Sequence, residues 1–133
     1  FRGLPFRTEV ILAKNNLKII NDSKSTNFES LIYALSKYEN AILICGGILK
    51  DKKFKVLDKH LKMIKKVYVF GKETKPWSRY FSKIKPTISV RRLDDIVPKI
   101  LEDIKTREYH NILFSPGASS FDQYQTVLDL FCF

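Results

Sequence analysis

Two cysteines in 133 residues, Cys45 and Cys132, are too few for a disulfide framework, and they form no zinc-type pattern. Cys45 lies inside an apolar, strand-like run, where a free buried thiol is the expected state. The two histidines, His60 and His110, lack metal-ligand spacing and are read as structural. No apolar run is long enough to span a bilayer, and no secretory signal pattern opens the sequence. Internal repeats and low-complexity tracts are missing too. These absences point to a cytoplasmic globular protein with no membrane partner. Acidic residues are also scarce, 14 against 24 lysines and arginines, giving a formal net charge of +10. The excess admits a basic module that binds nucleic acid or another polyanion. The lysines are scattered through nearly every segment, however, and arginines are few. That reads as a solvated surface, and no nucleic-acid partner is expected.

What is present describes a folded domain. Hydrophobic residues make up 44% and charged residues 29%, enough apolar material for a core and too little charge for wholesale disorder. The length suggests one domain over 1–133, with Phe1 to Pro5 resembling a linker. Thr8 to Ala13 has a strand pattern, Lys14-Asn15-Asn16 a tight turn, and Leu17 to Asn21 an antiparallel return. A helix is expected from Asn27 to Tyr38, with Phe28, Leu31, Ile32, Leu35 and Tyr38 on one face and a Thr26/Glu29 capping box. Ala41 to Cys45 reads as a buried strand closed by Gly46-Gly47. A helix near Phe54 to Ile64 should turn Leu57, Leu61 and Ile64 inward. Val67 to Phe70 is a strand, Pro76 to Lys85 a short helix, and Thr87 to Val90 a weak strand. Asp94 to Lys105 reads as a helix burying Ile96, Val97, Ile100, Leu101 and Ile104, with Pro98 in or near its first turn or else kinking it. Asn111 to Phe114 is the last strand and Ser115 to Ser119 a small-residue loop. A final helix from Phe121 carries a Ser120/Gln123 capping box. Alternating strands and helices predict an α/β fold, a mostly parallel sheet with helices on both faces.

Three loops follow buried strands: Asp22 to Thr26, Gly46 to Lys50, and Ser115 to Ser120. In a parallel sheet they emerge on one edge, the edge where α/β proteins bind ligands. Two of them end at hydroxyl-bearing helix starts, whose free amides attract carboxylates and phosphates, and Lys24 and Lys50 add full charges. A small acidic ligand is the physical expectation. Each residue also has a plainer reading. Thr26 and Ser120 serve as caps, each contributing about 1 kcal/mol. Asp22 braces a turn, and the lysines are solvated. Gly46-Gly47 fits neither the P-loop, since no Gly-Lys-Ser/Thr follows, nor the dinucleotide fingerprint. Asp94-Asp95 complements a helix dipole. Trp77, Tyr80 and Phe81 read as core or interface packing rather than as a stacking patch.

Arg7-Thr8-Glu9, the run from Asn21 to Asn27, Gly46-Gly47 with Lys50 and Phe54, and the run from Ser115 to Tyr124 resemble the C-terminal domain of the Mur ligase family. The resemblance spans nearly the whole chain, and the first-loop sequence is similar to that of the members adding D-glutamate. It implies a Rossmann-like sheet of about six strands with one antiparallel. Complete family members have three domains. The first binds the UDP-sugar substrate, here UDP-N-acetylmuramoyl-L-alanine. The middle one holds the P-loop, Mg2+ and most catalytic groups. The last binds the incoming amino acid and closes over ATP. The resemblance thus implies an ADP-forming amide ligase of peptidoglycan precursor synthesis, a monomer, whose isolated last domain does not turn over. Carried over by position, Thr26, Lys50, Ser120 and Phe121 are D-glutamate contacts. Arg7 and Asp22 are ATP contacts, the first near phosphate and the second near ribose. Lys24 lies at the cleft and is the one candidate for a catalytic part. The sequence departs from the family at Phe6, where His is usual, at Ile48-Leu49, at Val127, and over Leu128 to Phe131. Those departures admit a degenerate member without activity as a further reading.

Overall fold

The computed structural model describes residues 9–14, 17–21, 28–47, 53–71, 74–92, 95–105, 109 and 111–117. Its strands are β1 (Glu9–Lys14), β2 (Leu17–Asn21), β3 (Ala41–Gly46), β4 (Ile64–Phe70), β5 (Thr87–Val90) and β6 (Asn111–Gly117). Its helices are α1 (Phe28–Leu35), α2 (Lys75–Phe81) and α3 (Ile96–Ile104), with a 3-10 helix over Phe54–His60. The strands form one sheet in the order β1-β2-β6-β3-β4-β5. All neighbours run parallel except β1, which pairs antiparallel with β2. The expected Rossmann-like α/β sheet is therefore present.

The central strand explains the layering. AILICG offers no polar side chain to water, and such a run is stable only when both faces are covered. Every residue of β3 is buried. Ala41, Leu43 and Cys45 face one cluster, packed with Leu31 and Leu35 of α1, Leu57 of the 3-10 helix, and Trp77 and Phe81 of α2. Ile42 and Ile44 face the other, packed with Ile96 and Ile100 of α3. The period-two alternation continues through β4, with Val67 and Val69 opposite Tyr68 and Phe70. Helices thus cover both faces, three on one side and α3 on the other.

Several boundaries differ from expectation, each for a local reason. Leu57 and Leu61 are buried as predicted, but the helix tightens to 3-10 and ends at His60. Ile64 opens β4 instead of closing a helix. Lys65-Lys66 had hidden this start by breaking the apolar run. The strand accepts Lys66 because its Nζ pairs with the Asp103 carboxylate of α3 at 2.7 Å. Helix α1 stops at Leu35 rather than Tyr38, where the Ser36 hydroxyl donates to the Tyr33 carbonyl at 2.9 Å and competes for helical acceptors. Leu31 and Leu35 are nonetheless buried, with Phe28, Ile32 and Tyr38 packed at the margin. In α3, Ile96, Ile100 and Ile104 form the inward stripe, while Leu101 is 44% exposed rather than buried. Pro98 takes the third position, where a missing N–H costs nothing. Strand β6 runs on to Gly117 through residues expected to be loop. Pro116 is tolerated because pairing with β2 ends at Phe114 and a register shift separates Ile44 from Gly46. Thr8, Asn15, Asn16, Asp94, His110, Cys132, the Val97 side chain, both cap hydroxyls and the final helix lie outside the described residues.

Asp103 also accepts a hydrogen bond from the fully buried Tyr68 hydroxyl. Burial, then this bond and the carboxylate's charge, raise the Tyr68 phenol well above its ordinary value of 10.0. The folded state then keeps a proton that the unfolded chain loses, so this stabilisation is complete below about pH 10 and is lost as pH rises above it. Stability measured by urea unfolding should fall above about pH 10, this group contributing at most about 1.4 kcal/mol per pH unit. Tyr68→Phe should flatten that decline.

Candidate functional site

The carboxyl ends of five strands form one rim. Asn21 lies opposite Phe114, Phe114 opposite Ile44, Gly117 opposite Gly46, Gly46 opposite Phe70, and Phe70 opposite Val90. The three loops singled out from the sequence leave from β2, β3 and β6, which are adjacent. Their departure points are therefore neighbours. Arg7, Asp22, Lys24, Thr26, Lys50, Ser120 and Phe121 themselves lie outside the described residues. What the structure describes is the frame from which their segments leave and to which two of them return.

That frame starts with glycine. Gly46 has φ +145° and Gly47 φ +112°, in the region that L side chains rarely adopt. A Cβ on Gly46 would lie 2.2 Å from the Phe70 carbonyl oxygen and 3.0 Å from its nitrogen. The pair of glycines that matched no phosphate motif thus has a steric reason: β3 ends against the backbone of β4. Gly71, at φ +108°, ends β4 with a looser fit, its Cβ position 3.8 Å from the Gly47 nitrogen.

Aromatic side chains supply the second part. The Trp77 indole N–H donates to the Gly47 carbonyl at 3.1 Å. Its ring meets Phe28 edge-on at 6.0 Å and Phe54 edge-on at 5.5 Å, and Phe28 and Phe54 are 5.3 Å apart. Phe28 is the first residue of α1, and Phe54 opens the 3-10 helix. The loop after β2 therefore runs from Asn21 to this cluster, and the loop after β3 from Gly47 to the same cluster. Tyr80 stacks on Phe54 at 5.1 Å and donates its hydroxyl to Asp58. Burial, followed by that bond, raises the Tyr80 phenol above its ordinary value. Core packing of Trp77 and Phe81 is as the sequence suggested. Its link to the Gly47 carbonyl was missed, although a buried indole N–H needs a partner and Gly-Gly leaves free carbonyls.

At the far end of the rim a groove of about 470 Å³ opens beside β4 and β5, lined by Gly71, Thr74, Ser89, Val90 and Arg91. Among the described residues no three His, Cys, Asp or Glu side chains gather closely enough to hold a metal ion. No helix among them is long and apolar enough to cross a membrane. Chemically, the rim is a backbone edge at the carboxyl ends of parallel strands, the edge where α/β proteins bind ligands.

Gly46→Ala should destabilise the fold more than Gly71→Ala. The second carries the positive-φ penalty, of order 1–3 kcal/mol. The first adds the collision with Phe70. Urea midpoints of the two variants, compared at equal slope, check the order.

No family model matches the chain. Curated relatives do. It is 33% identical over 126 residues to the UDP-N-acetylmuramoylalanine–D-glutamate ligase of Wolbachia sp. subsp. Brugia malayi, covering 94% of this chain and 25% of the relative. It is 33% identical to the enzyme of that name from Prochlorococcus marinus, covering 94% of the chain and 28% of the relative. With that of Buchnera aphidicola subsp. Schizaphis graminum the identity is 38%, over 93% of the chain and 28% of the relative. The chain spans about a quarter of the length of these relatives and corresponds to a C-terminal portion of them.

Proposed function

Because the chain belongs to the Mur ligase family and corresponds to a C-terminal portion of its D-glutamate-adding members, we propose that it is the acceptor-binding domain of an ATP-dependent D-glutamate ligase. The observation that carries this reading is the shared rim, with the ends of β2, β6 and β3 side by side. In the full-length protein, D-glutamate would be joined to UDP-N-acetylmuramoyl-L-alanine for peptidoglycan synthesis. Lys50 pairs with a carboxylate of D-glutamate, Thr26 and Ser120 orient it through their hydroxyls, and Phe121 packs beside it. Arg7 meets ATP phosphate, Asp22 the ribose, and Lys24 stands at the cleft.

The chemistry follows from the two bound partners. The γ-phosphoryl group passes from ATP to the terminal carboxylate of the UDP-sugar peptide, giving ADP and an acyl phosphate. The D-glutamate amine then attacks that carbonyl, an amide forms, and inorganic phosphate leaves. The family's central domain would supply Mg2+ and the P-loop, so this chain alone has no turnover. Its own contribution is to hold the nucleophile's carboxylates away from the reacting carbon while leaving the amine free. A fixed cation in a closing cleft suits that task, since a truncated charge pair of this sort costs about 2–5 kcal/mol. The reading carries a cytoplasmic monomer that acts on small molecules, with no nucleic-acid or membrane partner.

The test uses the full-length protein with ATP, UDP-N-acetylmuramoyl-L-alanine and D-glutamate, compared with L-lysine and L-alanine. Phosphate release should depend on D-glutamate. Lys50→Ala should raise the KM for D-glutamate at least about tenfold, equivalent to about 1.4 kcal/mol, with an unchanged circular dichroism spectrum. No D-glutamate-dependent product, or a Lys50→Ala enzyme of wild-type KM, removes the assignment.

A further inference from the structure

We infer that Trp77 is a positioning residue for acceptor binding, setting where the loops after β2 and β3 meet the body of the domain. The inference rests on the D-glutamate reading above. Trp77 is fully buried, and core packing alone would account for its ring. Packing does not account for the direction of its N–H. The indole nitrogen bonds to the carbonyl of Gly47, at a backbone position that glycine's φ of +112° makes accessible. Gly47 is three residues before Lys50. The same ring lies edge-on to Phe28, two residues after Thr26, and to Phe54, four residues after Lys50. One side chain on α2 thereby touches both flanks of the Lys50 loop and the downstream flank of the Thr26 loop.

The geometry also separates two functions of this residue. Ring contacts with Phe81 (6.5 Å, stacked) belong to the core behind the rim. The N–H and the Phe28 and Phe54 contacts belong to the rim itself. Trp77→Phe keeps an aromatic ring and removes the donor, leaving the Gly47 carbonyl without its indole partner. A side chain that is only packing loses stability on this change, and substrate affinity stays the same. A side chain that also positions Gly47 changes the affinity for whatever the Lys50 loop binds. The expected signature is therefore selective: D-glutamate recognition weakens, while ATP recognition, assigned to Arg7 and Asp22, is nearly untouched.

The experiment measures steady-state kinetics of the full-length protein and hydrogen exchange of the same proteins. Trp77→Phe should raise the KM for D-glutamate about tenfold, with the KM for ATP within about twofold of wild type. Tyr80→Phe is the control: it breaks the Asp58 link on the same helix and should leave the D-glutamate KM unchanged. Amide exchange between Gly47 and Phe54 should quicken in Trp77→Phe while β4 keeps its protection. If Trp77→Phe fails to fold, Phe54→Leu, which keeps the indole donor but loses the edge-on ring, should show the same selective rise. An unchanged KM for D-glutamate in the folded variants, or unchanged exchange between Gly47 and Phe54, overturns the inference. A wild-type protein that ignores D-glutamate overturns the proposed function instead, and the exchange comparison still decides the role of Trp77.

Discussion

At the end of β3 the α-carbon of Gly46 approaches the Phe70 backbone so closely that hydrogen is the one substituent that fits. This close approach fixes where β3 and β4 stop relative to each other. On the opposite side β6 pairs with β3, with Gly117 opposite Gly46. The rim is therefore level across the middle of the sheet. A parallel sheet with ragged ends would spread its loops over several heights and could not bring them to one small ligand.

The two faces of the sheet are held by different means. On the side of α1 and α2 the cluster is apolar and aromatic, and its strength is the area removed from water. On the other side α3 adds a half-buried carboxylate to its apolar stripe, and Asp103 takes both an ammonium and a phenol. Breaking such a pair costs more than making it gains, so the contact fixes the seat of α3 more than it adds net stability. The rim is tied to the aromatic side, where Trp77 reaches Gly47.

The layered fold was legible because its signals are local and redundant. AILIC, short, apolar throughout and closed by Gly-Gly, reads as a strand covered on both faces, and the alternation of strands with amphipathic segments does the rest. Errors arose where one residue's partner is distant in sequence. Lys66 obscured the start of β4 because its partner, Asp103, lies 37 residues away. The small residues from Ser115 onward read as a loop, because a single sequence does not show how far a neighbouring strand goes on pairing. Leu101 was placed inward by a generous reading of helical spacing, whereas nine residues of α3 bury a narrower stripe. At the site, the loops to examine could be read from strand ends and hydroxyl-bearing helix starts. The frame beneath them could not. Gly46-Gly47 was weighed against phosphate motifs, and its steric role needs the Phe70 carbonyl 24 residues on, which appears only in three dimensions.

The aromatic anchor has a consequence for how such a domain ages. Gly47 and Phe54 bracket the segment containing Ile48-Leu49 and Lys50, and both brackets are fastened to Trp77. Divergence between them leaves the fastenings intact. A lineage under relaxed selection would then surrender its chemistry well before its shape, and a well-folded descendant would be poor testimony that its ancestor's reaction survives.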